Sequence, residues 1–96
     1  LEVYNDRLIA YSLGNFATFG RFNLKGALGV GVILEVELDA SGKFLGGQVI
    51  PTMQVGDGVP MMDPERRAVT QMSSLSAEDF GARAAQVSAD GVIRAP

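Results

Sequence analysis

Apolar and polar positions alternate most regularly between residues 29 and 38. A period of two over a stretch of this length is typical of a β-strand with one face in the core. The opposite face becomes polar toward the end of the stretch, where it meets solvent. The core set is Val30, Val32, Leu34, Val36 and Leu38, and the opposite set is Gly29, Gly31, Ile33, Glu35 and Glu37.

A turn and a returning strand follow this pattern. Residues 39–43 read Asp-Ala-Ser-Gly-Lys, in which Asp can cap a turn and Gly can adopt a positive φ. Residues 44–51 then predict the second arm of a β-hairpin. Gly46 and Gly47 in this arm predict a bulge or a close backbone approach. Pro51 predicts that strand pairing stops there, because proline has no N–H to donate.

An apolar run at residues 8–16, Leu-Ile-Ala-Tyr-Ser-Leu-Gly-Asn-Phe, precedes that hairpin. Both of its alternating sets are largely apolar, which predicts a central strand covered on both faces. Residues 1–4 predict a partner strand, joined to it through the turn residues 5–7. A central strand needs neighbours on both edges, and we expect this chain to supply only part of them.

Two further stretches predict irregular structure. Residues 17–28 have no regular period and contain glycines, and residues 52–62 contain two glycines and a proline. We therefore expect a loop in the first stretch and an irregular surface connection in the second. The first loop carries an aromatic cluster formed by Phe16, Phe19 and Phe22.

Two short helices are predicted in the C-terminal third. Asp-Pro-Glu at residues 63–65 is a helix start, and this helix should run to about residues 72–73. Ser-Ala-Glu-Asp at residues 76–79 resembles a capping box and predicts a second start. Asp-Gly at residues 90–91 predicts its stop. The apolar stripe of this second helix is Phe80, Ala84 and Val87.

These elements predict an α+β fold with two β-hairpins from a mixed sheet followed by two short helices. The chain has 96 residues, which allows one domain at most, and we assign residues 1–96 to a single partial domain. Apolar residues make up 47% of the sequence, which is high for so short a soluble chain. We expect some of this apolar surface to meet a partner.

Composition excludes several functions. The net charge of −3 gives no electrostatic basis for binding nucleic acid. The absence of Cys and His excludes disulfides, thiolate chemistry, the usual zinc sites and Ser-His triads within the chain. The longest apolar and glycine stretch, residues 27–34, is too short to span a bilayer. Without an initial Met or a basic leader, the chain reads as part of a longer or processed protein.

Candidate sites within the chain give weak signals. The acidic residues lack calcium-loop spacing, so we predict no metal site and no cofactor in this chain. Ser12 has neither a Gly-x-Ser-x-Gly context nor a histidine, which argues against a nucleophile. For Asn15, two interpretations stay open: a left-handed turn or backbone-bonding role, and a role lining a cleft at the end of a strand.

Tyr-Ser-Leu-Gly-Asn-Phe at residues 11–16, preceded by Glu-Val-Tyr at residues 2–4, resembles the capsule-synthesis CapA, or poly-gamma-glutamate biosynthesis, family. Members of this family resemble metallophosphoesterases. The similarity continues through the strand at 29–38, residues 50–52 and 58–60, and the stretch 75–81. The resemblance implies the C-terminal part of a metallophosphoesterase-like two-sheet α/β sandwich.

The resemblance also implies a division of roles. The family's acid and histidine blocks, which hold a divalent metal pair, precede the equivalent of Leu1, so no catalytic residue is carried over and the chain alone is not expected to be an enzyme. The parent would be a metal-dependent phosphoesterase-like hydrolase. Lys25 is a further candidate for meeting an anionic substrate. The implied residues of the substrate-cleft wall are Ser12, Gly14, Asn15, Phe16 and Arg21.

The implied partner is the upstream part of the same protein, and the implied location is the bacterial cell envelope or the extracytoplasmic side. Two alternatives come from the residues themselves. One is a stand-alone β-rich binding module that uses the Phe16, Phe19 and Phe22 loop as its contact patch. The other is a homodimer formed through unpaired strand edges.

Overall fold

The computed structural model describes residues 1–20 and 23–96, which form an α+β fold. Seven strands and one α-helix make up this part of the chain. Their bounds are β1 Glu2–Tyr4, β2 Arg7–Ile9, β3 Val30–Leu38, β4 Phe44–Val55, β5 Val59–Met62, α1 Arg67–Phe80, β6 Gln86–Val87 and β7 Val92–Arg94. Short 3-10 turns at Gly26–Gly29 and Gly81–Arg83 complete the regular structure of these residues.

The main sheet has the order β3-β4-β7-β6, with β5 also paired to β4. Strands β1 and β2 form a separate two-stranded sheet. Every pairing among the described residues is antiparallel, so the predicted mixed sheet is wrong for this part of the chain. The reason is connectivity, because tight turns join most paired strands, and parallel pairing requires a long crossover.

The β3–β4 hairpin confirms the strongest sequence prediction. Asp39 caps its turn by accepting hydrogen bonds from the backbone N–H groups of Ser41 at 2.8 Å and Lys43 at 2.9 Å. The register shifts between Glu37 and Leu38, which confirms a bulge in this part of the hairpin. A Cβ on Gly47 would meet the carbonyl oxygen of Glu35, which confirms the predicted close approach.

Pairing continues past Pro51, contrary to the prediction. Pro51 lies opposite Val32, and the N–H of Val32 points away from β4 toward the carbonyl of Leu13. The pair is therefore a non-hydrogen-bonded one, at which β4 loses no ladder bond through the missing proline N–H. Strand β4 consequently extends to Val55.

The predicted irregular connection at residues 52–62 is also wrong. Residues 52–55 continue β4, and β5 pairs with them from Thr52↔Met62 to Val55↔Val59. The glycines at 56 and 58 both adopt positive φ and form the turn of a third hairpin. The glycines that predicted a loop thus form the turn that joins two strands.

One helix replaces the two predicted. Asp63 accepts hydrogen bonds from the N–H groups of Glu65 and Arg67, so it caps the turn before α1, which begins four residues later than the predicted cap. The predicted second start at Ser76 lies inside α1, where Ser76 is buried at 1% exposure. Burial of the helix face at this position outweighs the local capping signal.

Residues beyond α1 are extended rather than helical. Gly81 ends the helix with φ 53°, and the predicted stripe residues Ala84 and Val87 lie after it. The predicted stop at residues 90–91 is instead the turn between β6 and β7, where Ser88 and Val92 close a tight hairpin.

The β1–β2 hairpin is confirmed, with Asn5 and Asp6 both at positive φ in its turn. The predicted central strand over residues 8–13 is not found, since β2 ends at Ile9 and Tyr11 is 64% exposed. The described residues supply β2 with one neighbour only, β1. Without a second neighbour and covering layers, the apolar run lies along the surface.

The core lies between α1 and one face of the main sheet. Its most buried apolar residues are Val49 and Ile93, both at 0% exposure, and Val69 at 2%. Ala68, Val69 and the half-buried Met72 bring the helix onto this face. No helix in the described ranges is long and apolar enough to cross a membrane.

Candidate functional site

The motif segment, residues 12–16, crosses the beginning of β3. Gly14 bridges Gly31 in antiparallel fashion, and the backbone N–H of Val32 donates to the carbonyl of Leu13 at 2.9 Å. The crossing is short, because the segment leaves the edge of β3 after this contact. The motif segment is therefore anchored at one point of the main sheet.

Two glycines make the crossing sterically possible. Gly14 has φ 74°, and a Cβ there would lie 2.7 Å from the carbonyl oxygen of Val30. A Cβ on Gly31 would lie 2.7 Å from the carbonyl oxygen of Asn15. Any side chain at either position would push the two backbones apart.

The side chain of Gln54 links the end of the motif segment to β4 through hydrogen bonds. Its Nε2 donates to the carbonyl of Asn15 at 3.0 Å, and its Oε1 accepts from the N–H and the hydroxyl of Thr18 at 2.8 and 2.7 Å. The side chain is 8% exposed, so these bonds satisfy a nearly buried amide. Sequence reasoning missed Gln54, since one glutamine in a strand gives no signal of its partners.

Asn15 has the backbone-bonding role that was one of its two interpretations. Its Nδ2 donates to the carbonyl of Leu28 at 3.0 Å, which ties the motif segment to the 3-10 turn before β3. The Ser12 hydroxyl accepts from the N–H of Gly14 at 3.3 Å. Both hydrogen bonds are exposed to solvent, and they fix the conformation of the motif segment at the surface.

An apolar groove of about 160 Å³ lies between the motif segment, the start of β3 and α1. Ser12 and Gly14 line it, whereas Asn15 and Phe16 do not. The wall from α1 consists of Ala68, Gln71, Met72 and Leu75. Ligand pockets usually span about 300–1,000 Å³, so this groove fits an inserted apolar side chain better than a substrate.

Of the residues that the resemblance assigns to a cleft wall, Ser12 and Gly14 lie together at this groove. Phe16 is 45% exposed and does not line the groove, and Phe19 is 86% exposed. Arg21 and Phe22 lie outside the described residues. Lys25 is exposed and precedes the 3-10 turn.

A buried carboxylate holds the start of the apolar run. Glu2 is 5% exposed and accepts hydrogen bonds from the Tyr11 hydroxyl at 2.7 Å and from Nε of Arg83 at 2.5 Å. These two hydrogen bonds lower the pKa of Glu2, and the bond from Tyr11 has the larger effect. The ring of Tyr11 also stacks on Phe80 with centroids 5.1 Å apart.

This Glu2 cluster joins three parts of the chain: β1, the run after β2 and the residues that follow α1. Sequence reasoning missed Glu2 and Arg83 as partners because 81 positions separate them. Each residue alone is typical of a solvated surface position. Only the packing of β1 against the end of α1 makes this carboxylate a buried one.

In both regions the polar side chains make hydrogen bonds to other parts of the chain. No set of three or more Asp and Glu residues within residues 1–20 and 23–96 is arranged to hold a metal ion. The polar atoms around the motif segment are mostly used in hydrogen bonds that position backbone. The arrangement can therefore hold a surface segment in a defined shape and offer an apolar groove beside it.

Comparison of the chain with protein-family models, with curated proteins and with solved structures finds no match.

Proposed function

We propose that this chain is the non-catalytic C-terminal segment of a CapA-like metallophosphoesterase. Its motif segment forms part of the substrate-cleft wall, and the upstream part of the same protein supplies the metal pair. One observation carries the proposal: Tyr11 and Leu13 are 64% and 40% exposed. Both lie in an apolar run whose pattern predicts a strand that is buried on both faces. An upstream layer packed on residues 8–16 would supply that cover.

The groove beside the motif segment supports the same proposal. It is lined mainly by apolar side chains, and its volume of about 160 Å³ suits one or two side chains from an adjoining layer. The hydrogen bonds of Gln54 and Asn15 hold the motif segment in place. The segment is therefore anchored by hydrogen bonds, and the groove beside it is available for packing.

The parent protein in this proposal acts in the synthesis of capsule or poly-gamma-glutamate polymer at the bacterial envelope. It hydrolyses a bond to a phosphoryl or acyl-phosphate group, or assists the transfer of that group. A divalent metal pair bound by upstream residues takes part in this reaction. Within this chain, Ser12, Gly14, Asn15, Phe16 and Arg21 contribute to the cleft wall. Their role is to shape the cleft, because the described members of this set, Ser12, Gly14, Asn15 and Phe16, carry no carboxylate or imidazole side chain.

The test compares the isolated chain with the product of its gene purified from source cells. We expect a gene product several times larger than 10.1 kDa that hydrolyses p-nitrophenyl phosphate when manganese is added. The isolated chain should neither bind manganese tightly nor turn over this substrate. Asn15→Ala in the gene product should lower kcat/KM about tenfold with bound metal unchanged, because the cleft wall loses its tie to Leu28.

Thr70→Ala, on the exposed side of α1, is the matched control and should leave kcat/KM unchanged. Turnover by the isolated chain would contradict the proposal. A gene product of the chain's own size would contradict it as well.

A stand-alone binding module is the second candidate function, and the exposure of Phe19 favours it. At 86% exposure this ring covers no core residue, and exposed aromatic rings are common anchors in protein interfaces. The size comparison separates the two candidates. A gene product of about 10.1 kDa without phosphoesterase activity would favour the module.

A further inference from the structure

Beyond Val32, the backbone edge of β3 on the side away from β4 has no partner among residues 1–20 and 23–96, and we call this stretch the free edge. Val32 lies opposite Pro51, and its N–H points outward to Leu13. Because N–H groups alternate along a strand, those of Leu34 and Val36 point outward too. Strand β3 is an edge strand of the main sheet. In the described part of the chain, the N–H groups of Leu34 and Val36 have no backbone partner.

The side chains along this free edge have a two-sided pattern. Leu34 and Val36 lie on the face that continues into the core, and Val36 is 37% exposed. Ile33, Glu35 and Glu37 lie on the other face, and both carboxylates are exposed. A strand added here must place apolar residues on one face, and favourable pairing with the acids requires basic residues on the other.

A second copy of β3 does not meet this requirement. Antiparallel pairing of two copies places Glu35 against Glu35 when Leu34 faces Val36. It places Glu35 against Glu37 when Leu34 faces Leu38, and like charges directly opposite each other destabilise a sheet. The register in which Leu34 faces Leu34 uses the edge at Val32, which Leu13 already occupies.

We infer that the free edge of β3 binds an extended segment of a separate protein, in which apolar and basic residues alternate. The partner continues the ladder that Leu13 begins at Val32, by bonding the outward backbone groups of Leu34 and Val36. Its basic residues pair with Glu35 and Glu37. This inference does not rest on the phosphoesterase activity of the proposed parent; it requires that the upstream part of that parent leaves this edge unpaired.

The test uses the 96-residue chain and a fluorescein-labelled nonapeptide of alternating valine and lysine. Two comparison peptides carry the same residues in two blocks, or glutamate in place of lysine. We expect the alternating peptide to bind at least about tenfold tighter than either, because only its pattern matches both faces. In amide-exchange spectra, binding should protect the N–H groups of Leu34 and Val36.

Val36→Pro removes the outward donor without removing a bond to β4, since Val36 lies opposite Gly47 in a non-hydrogen-bonded pair. Binding should fall at least about tenfold while the thermal midpoint stays close to that of the wild type. Val36→Thr keeps the N–H and is the matched control. The double change Glu35→Lys with Glu37→Lys should reverse the preference toward the glutamate peptide.

Three results would overturn the inference. The first is equal binding of the alternating and block peptides, which would mean attraction by net charge alone. The second is unchanged binding by Val36→Pro. The third is protection of the Leu34 and Val36 amides in a dimer that forms without peptide, which would assign the edge to a second copy.

Discussion

Two buried polar side chains, Gln54 and Glu2, connect segments that lie far apart along the chain. Gln54 bonds residues 36 and 39 positions away, and Glu2 bonds a residue 81 positions away. The polar atoms of both side chains have hydrogen-bond partners. Each side chain therefore stabilises one conformation of the apolar run over alternative conformations. At the level of single residues, the shape of the motif segment therefore depends on polar contacts.

Gln54→Ala should destabilise the chain by about 1–3 kcal/mol, because the carbonyl of Asn15 loses its partner and the N–H of Thr18 keeps only the longer bond to the carbonyl of Gly58. Urea denaturation measures this loss, and faster exchange of the Thr18 amide should accompany it. Gln86→Ala, at an exposed position of β6, should change stability by less than about 0.5 kcal/mol. Equal effects of the two substitutions would mean that Gln54 does not anchor the segment.

The lowered pKa of Glu2 predicts a dependence of stability on pH. A carboxyl whose pKa is lower in the folded than in the unfolded state adds stability above its ordinary value of 4.5 and loses it as the pH falls through the folded value. The free energy of unfolding of the wild type should therefore exceed that of Glu2→Gln by a constant amount at neutral pH. Below about pH 4.5 this gap should shrink.

Tyr11→Phe checks the cause of this dependence, since it removes the hydroxyl bond to Glu2 and keeps a ring to stack on Phe80. In this variant the pKa of Glu2 should rise toward its ordinary value, and the acid loss should begin at a higher pH. Urea midpoints between pH 7 and pH 3 measure both effects. A gap that stays constant down to pH 3 would rule out the role assigned to Glu2.

Among the elements, the β3–β4 hairpin and α1 illustrate where local signals are sufficient. Period-two alternation and an Asp-Ala-Ser-Gly-Lys turn predicted the hairpin, because each is satisfied by contacts between neighbours in sequence. The end of α1 was mispredicted since Ser76 reads locally as a cap, while burial of its face extends the helix to Phe80. Pro51 likewise reads as a strand end, and its non-hydrogen-bonded pairing explains why β4 continues.

Gly31→Ala tests the crossing of the motif segment over β3. A Cβ would lie 2.7 Å from the carbonyl oxygen of Asn15, so we expect a loss of about 1–3 kcal/mol and faster exchange of the Val32 amide. If the motif segment did not cross β3, replacing this strand glycine by alanine should instead raise the free energy of unfolding by about 0.5–1 kcal/mol. The sign of the change in unfolding free energy therefore decides the question.

Gly46→Ala is the matched control, because its Cβ would be 3.6 Å from the carbonyl oxygen of Ile93, an ordinary contact. This substitution should be neutral or slightly stabilising. If both alanine variants lost the same stability, the effect would belong to the sheet and not to the crossing.

At the scale of the molecule, helix α1 covers one face of the main sheet, and much of the remaining apolar surface is open. Tyr11 and Leu13 are exposed along the surface run, and Val36 and Leu38 along the end of β3. The two proposals assign partners to these two surfaces separately. In the first proposal an upstream layer of the same protein covers the run, and in the second a segment with alternating apolar and basic residues pairs with the edge.

Local periodicity and turn residues were enough to predict the β1–β2 and β3–β4 hairpins, the bulge and the presence of a helix, because these features depend on near neighbours. The Glu2 cluster, the Gln54 contacts and the extension of β4 past Pro51 depend on residues tens of positions away. A sequence pattern carries no information on such pairings. For the same reason the buried or exposed state of residues 8–16 was set by which layers pack on them, and there the tertiary structure decided the outcome.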